Sequence, residues 1–161
     1  MLIRVAGACL IVMCGSLWGI SKAAVYRDKL QICDDILIII RRTAGLIRCG
    51  CDTSEILAEL KAESDIFSDI PDYFSVTEDI NEILCKAVEK SAAEGEEKNL
   101  LMRYCKELGT TDIDGQTAML GSLAELADEL RERRRADLTK YGRLYRSVGI
   151  LFGLMAGIAI I

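Results

Sequence analysis

Residues 131–161 read RERRRADLTKYGRLYRSVGILFGLMAGIAII, and three kinds of surface follow one another along this stretch. Arg131–Asp137 is polar almost all round, with Ala136 the exception. Leu138, Tyr141, Leu144, Tyr145 and Val148 then form an apolar stripe at helical spacing. From Ser147 to Ile161 there is no charge. No proline follows Ile113, so the spacing predicts one nearly continuous helix over 113–161, on the order of 70 Å long at 1.5 Å per residue. A helix polar on every side for two turns is solvated or bridges packed regions. The expected order is a packed first part, with Leu120, Leu123, Leu126, Ala127 and Leu130 facing a core, then a basic stalk, then an apolar end.

The other terminus answers this one. Residues 5–21, VAGACLIVMCGSLWGIS, are 17 apolar or small residues between Arg4 and Lys22, and every charge except Arg4 lies between the two apolar stretches. A bilayer core of about 30 Å takes about 17–25 apolar residues as a helix. The first stretch meets the short end of that range. The 15 residues of Ser147–Ile161 fall below it, and would need the snorkelling arms of Arg143 and Arg146 to extend them. Gly149, Gly153 and Gly157 recur every four residues, a small-residue ridge that suits close helix packing in lipid. Two plainer readings compete. Ser21-Lys22-Ala23 offers the small residues of a signal-peptide cleavage site, although Arg4 alone supplies the positive n-region. A short apolar run is also what a buried core helix shows. The reading adopted here is an all-α chain with an N-terminal transmembrane helix over 1–24, a cytoplasmic helical bundle over 25–146 ending in the basic stalk, and a C-terminal transmembrane helix over 147–161. Lys22, Arg27 and Lys29 follow the first span, and Arg131, Arg133, Arg134, Arg135, Lys140, Arg143 and Arg146 precede the second. Basic residues next to spans stay in the cytoplasm, and both ends agree.

Between the ends the pattern is helical. Val25–Ile47 continues the first span, with Ile32, Ile36, Ile39 and Ile40 on one face. Gly50 is a natural terminator. Asp52 with Glu55 three residues on has the form of a capping box, opening a helix with Ile56, Leu57, Leu60 and Ala62 on its stripe and its end near 64–70, ahead of Pro71. A third helical region is expected over Asp72–Ala93, with Phe74, Ile80, Ile83, Leu84 and Val88 apolar. A fourth is expected over Glu96–Leu108, with Leu100, Leu101, Tyr104 and Leu108. Gly109 then reads as a C-cap and Thr110-Thr111-Asp112 as the cap of the next helix.

Composition narrows the chemistry. There is no histidine, which removes Ser-His-Asp and Cys-His nucleophile pairs and most catalytic zinc sites. The seven cysteines show no paired framework, as expected of reduced cytosolic thiols. No phosphate-binding GxxxxGK[ST] loop is present. Charge is divided: Asp52–Glu97 carries 14 acids and 3 bases, a net of 3 − 14 = −11, while Arg131–Arg146 carries 7 bases and 2 acids, a net of 7 − 2 = +5. The basic stretch, Arg131, Arg133, Arg134 and Arg135 above all, could meet anionic lipid headgroups or the acidic face of a neighbouring copy. An isoelectric point near 4.9 and 6% aromatic residues disfavour nucleic-acid binding. No catalytic role and no cofactor is expected.

The C-terminal third resembles the stage III sporulation protein AB family of endospore-forming bacteria. The resemblance rests on Leu108-Gly109 followed by Asp112 and Gln116, on Lys140-Tyr141-Gly142-Arg143-Leu144-Tyr145-Arg146-Ser147-Val148-Gly149, and on the Gly-punctuated tail. Gly7, Gly19 and Tyr26-Arg27 agree at the other end. Asp65–Leu100 is the weakest part, and the proline-leucine pair often seen after the family's first turn is missing. The family resembles the F-type platform domain of type II secretion and type IV pilus systems. It implies a non-enzymatic scaffold in a channel-like complex between mother cell and forespore, at the mother-cell membrane around the forespore. The implied partners are the stage III sporulation AA ATPase and other membrane members of the complex. On this reading Gly109, Asp112, Gln116, Tyr141 and Gly149 are motif residues. The alternatives are a membrane redox regulator using Cys49 and Cys51, which would need thiols of depressed pKa, and a generic membrane adaptor.

Overall fold

A computed structural model describes the backbone of residues 2–68, 70 and 79–160, and the side chains of these except 2–12, 16, 53, 63, 65, 146, 153, 154 and 156–160. The described residues contain helices and no strand. The helices are α1 (Leu2–Arg48), α2 (Thr53–Glu63), α3 (Ile80–Lys90), α4 (Gly95–Glu107), α5 (Ile113–Asp137) and α6 (Arg143–Ile160), with a 3₁₀ turn at Asp65–Phe67 and a π-helical segment at Leu138–Gly142. The chain divides into two compact units, Ile32–Arg131 and the paired terminal segments Met1–Gln31 with Glu132–Ile161.

The central unit is a helical bundle. Ile36, Ile39 and Ile40 of α1 are buried, as their spacing predicts, against Ile56, Leu57 and Leu60 of α2, Leu84 and Val88 of α3, Leu101 and Tyr104 of α4, and Leu120, Leu123 and Ala127 of α5. Each fully buried aliphatic side chain contributes about 1.5–3 kcal/mol relative to exposure. Two expected core positions are not core: Ala62 is exposed and Leu126 is 41% exposed. Ala127, one position on, takes the inward place, because neighbouring residues on a helix point about 100° apart.

The turns carry the geometry. At the end of α1 the Cys51 N–H donates to the Leu46 carbonyl (3.1 Å) and the Gly50 N–H to Ile47 (3.0 Å), with Gly50 at φ +76°. That is the paired C-terminal bonding pattern that left-handed glycine permits. The capping box expected at Asp52 does not form. Asp52 is the N-cap of α2, but its side chain makes no capping bond and accepts instead from the Ser54 hydroxyl (2.9 Å). The third helix is shorter than its apolar pattern suggests: α3 begins at Ile80 with Asp79 as a true N-cap, accepting from the Asn81 N–H (3.0 Å). Positions 71–78, including Pro71, Asp72 and Phe74, lie outside the described residues.

In the terminal unit, helical backbone runs through both segments. The expected single helix from Ile113 is present but changes pitch at Leu138–Gly142. There the Thr139 hydroxyl donates to the Arg135 carbonyl (2.9 Å), a side-chain bond that competes with the i→i−4 ladder just where a π turn appears.

Among the described residues no helix is long and apolar enough to cross a membrane. The two expected spans, 1–24 and 147–161, fall largely on side chains outside the described residues, those of 1–12, 16, 153, 154 and 156–161.

Candidate interaction sites

Three turns of the central unit come together around an open cleft of about 500 Å³. Gly50, Cys51 and Ile47 border it from the first turn, Asp79, Ile80 and Asn81 from the start of α3, and Leu108, Gly109, Thr111, Ile113 and Gln116 from the α4–α5 turn. That last turn is built by the residues singled out from the sequence. Gly109 sits just past the C-cap Leu108 at φ +75°, where a Cβ is penalised. Asp112 then caps α5: its Oδ1 accepts from the Gly115 N–H (3.1 Å) and its carbonyl from the Gln116 N–H (2.8 Å). Gln116 is buried, and its Nε2 donates to the Glu107 carbonyl (2.9 Å) and to Thr111 Oγ1 (3.3 Å). Two acceptors fix the amide's orientation, and among the described residues the buried Oε1 has no hydrogen-bond partner.

Asn81 is a residue that sequence reading passes over. Its Nδ2 donates to the Lys106 (3.3 Å) and Leu108 (3.1 Å) carbonyls, the orphan acceptors at the end of α4. Nothing in its local sequence says so, because the two ends of this bond are more than 24 positions apart. Deeper in the bundle, Thr43 Oγ1 donates to the Ile39 carbonyl (2.9 Å), so its 2.7 Å contact with Tyr104 has the phenol as donor. Burial pushes the Tyr104 hydroxyl far above its ordinary range, so it keeps its proton and the bond.

The cysteines are spread across the unit. Cys49 is exposed, Cys51 and Cys85 are half-buried, and Cys33 and Cys105 are buried. Desolvation first, then the nearby Glu55 carboxylate, raises the Cys51 thiol above its usual value. Burial does the same to Cys85 and Cys105. These shifts work against thiolate chemistry. Among the described residues no group of three or more Cys, Asp or Glu side chains is arranged to hold a metal ion.

The basic stretch is divided between the two units. Arg131 belongs to the central unit, where it pairs with Asp34 of α1 and with Asp128 (3.7 Å). It ties α5 to α1. Arg133, Arg134 and Arg135 lie in the terminal unit, with Arg134 3.7 Å from Asp137. In that unit Tyr141 and Gly149 meet the N-terminal segment. Tyr26 stacks on Tyr141 (5.5 Å between centroids) and on Tyr145 (6.0 Å), and Trp18 meets Tyr145 edge-on (6.5 Å). Gly19 and Gly149 are both buried and packed against each other: a Cβ on Gly149 would stand 2.6 Å from the Gly15 carbonyl oxygen and 3.0 Å from the Gly19 Cα.

This combination of turn motif, tyrosine cluster and paired glycines spans both units, and the family comparison covers the same ground. The sequence model of stage III sporulation protein AB matches residues 4–161. The chain belongs to the stage III sporulation protein AB family. The match takes in the Gly109–Gln116 turn, the Lys140–Gly149 segment and Asp65–Leu100, where the resemblance read from the sequence is thinnest. Comparison with curated proteins and with solved structures gives no match. As a stage III sporulation protein AB family member the chain is a sporulation-related, all-helical protein.

Proposed function

We propose that this chain is a non-enzymatic platform of a sporulation secretion-like complex: its terminal helices anchor it in the mother-cell membrane around the forespore, and its central bundle docks the stage III sporulation AA ATPase in the cytoplasm. The observation that carries the anchor is the backbone-to-backbone approach of Gly19 and Gly149. Small residues at such a contact let two helices pack closely where lipid supplies no hydrophobic drive. Tyr26, Tyr141, Tyr145 and Trp18 cluster next to it, and aromatic rings of this kind favour a membrane–water boundary. The exposed apolar side chains of the same segments, Leu17, Ile20, Ile150, Leu151, Phe152 and Met155, form a surface that water disfavours and acyl chains accept. The basic residues flanking both segments set the orientation with the bundle inside. The platform role rests on family membership.

The test uses the full chain in sporulating cells. It should stay in the membrane pellet through an alkaline carbonate wash. A photoreactive residue replacing Glu82, which is exposed on α3, should crosslink to the AA ATPase. Recovery of the chain in the soluble fraction sinks the anchor, and crosslinks that never contain the ATPase sink the docking.

A further inference from the structure

We infer that the cavity between the two terminal segments binds the headgroup of an anionic phospholipid, a site that rests on the membrane anchoring proposed above. The cavity lies within the terminal unit and measures about 340 Å³, inside the range of about 300–1,000 Å³ usual for ligand sites. Ile20, Ala23 and Arg27 of α1 line one side, and Leu138, Gly142 and Arg143 the other. The second side is the π-helical segment with the residue that follows it, and such widened turns recur at functional sites. Leu138 packs over Gly142, where a Cβ would stand 3.2 Å from Leu138 Cδ1. Ala23 and Gly142 are buried and form the floor.

The two ends of the cavity select the occupant. Arg27 and Arg143 reach it from different segments, and both are exposed. Guanidinium forks match phosphate oxygens two at a time. Asp28 stands 4.0 Å from Arg27, with both side chains largely in water, a kind of pair weak enough to leave the fork to a second anion. The other end is apolar. Ile20, 53% exposed, stands seven positions before Arg27 on α1, about 10 Å along the axis. Leu17, on the same face of the helix, is 61% exposed. A ligand with phosphate at one end and hydrocarbon at the other satisfies both. A soluble phosphate ester would meet the arginines alone and leave Leu17 and Ile20 to water. In the orientation proposed above, Arg27 lies on the aqueous side and Ile20 on the acyl side, as a phospholipid requires.

The test uses the full chain reconstituted in phosphatidylcholine vesicles. Two probes are compared at trace level, phosphatidylglycerol and phosphatidylcholine, each with a photoreactive diazirine on its acyl chain near the glycerol. The vesicles are floated, so that only inserted chain is scored, then illuminated, and the labelled residues are mapped. The phosphatidylglycerol probe should label residues 20–24 about tenfold more than the phosphatidylcholine probe, as two basic residues at an anionic headgroup imply. Arg27→Gln with Arg143→Gln should remove that preference. Arg133→Gln with Arg135→Gln takes the same charge from the same unit outside the cavity, and should leave the preference unchanged. Equal labelling by the two probes, a preference lost as readily in the second variant, enrichment confined to other residues, or displacement of the probe by soluble glycerol 3-phosphate would each overturn the inference while the anchor stands. A chain that fails to float with the vesicles overturns both.

Discussion

Gly109 and Gly45 show how little the residue type says without its backbone. Gly109 holds φ +75°, a region that costs an L side chain about 1–2 kcal/mol, and β-branching adds to this. Gly109→Val should therefore lower the melting temperature of the full chain, read by circular dichroism. Gly45 sits within α1 with open space where a Cβ would go. Gly45→Ala should instead raise stability by about 0.5–1 kcal/mol, the helix-propensity difference alone. If both variants melt alike, the α4–α5 turn is not built on a left-handed residue. Tyr104→Phe is a third residue-scale case. It removes the donor to Thr43 while Thr43 keeps its bond to Ile39, so the loss should be near 1 kcal/mol in a denaturant titration. A loss of several kcal/mol would mean the phenol supports more than that one bond.

At the scale of elements, the pairing of the N-terminal segment with α6 depends on the absence of side chains. A Cβ on Gly149 would meet the Gly15 carbonyl oxygen at 2.6 Å, and one on Gly19 would meet the Tyr145 carbonyl oxygen at the same distance. Backbone atoms cannot rotate away, so the helices must separate. Gly149→Leu should therefore part Trp18 from Tyr145. Trp18 is the single tryptophan, which makes its fluorescence a reporter of this unit alone, and a shift in its emission is the expected outcome. Unchanged emission would argue that the two segments do not pack through these glycines. Helix identity along the chain was legible from apolar spacing, and α2, α4 and α5 stand close to where that spacing puts them. Helix ends were less so. Asp52–Glu55 has the letters of a capping box but Asp52 takes Ser54 instead, because several short-range partners compete for one carboxylate. Asp79 caps α3 inside what reads as one longer helical region.

For the whole molecule, the basic stretch can be separated from folding. Arg134 pairs with Asp137 at 3.7 Å, a surface pair of a kind contributing about 0–1 kcal/mol. Replacing Arg133, Arg134 and Arg135 with Ser should leave the helical melt within that margin. It should reduce recovery of the chain with membranes or with its complex, measured by pull-down from sporulating cells. Full recovery would leave the stretch without a binding role. Arg131 is different, because it bridges α5 to Asp34 of α1, and Arg131→Ser belongs with the stability variants. Nothing in the run of arginines sets Arg131 apart from its neighbours.

Helical class, the division into a charged middle and apolar ends, the absence of histidine chemistry and the glycine stops at 50 and 109 all follow from local patterns. They depend on spacing along one strand of text, which 3.6-residue periodicity and φ preference translate directly. The partner of each surface could not be read that way. That Gly149 meets Gly19 and that Asn81 satisfies the end of α4 are facts about residues distant in the chain. Long-range packing brought them together, and periodicity carries no record of which helix faces which.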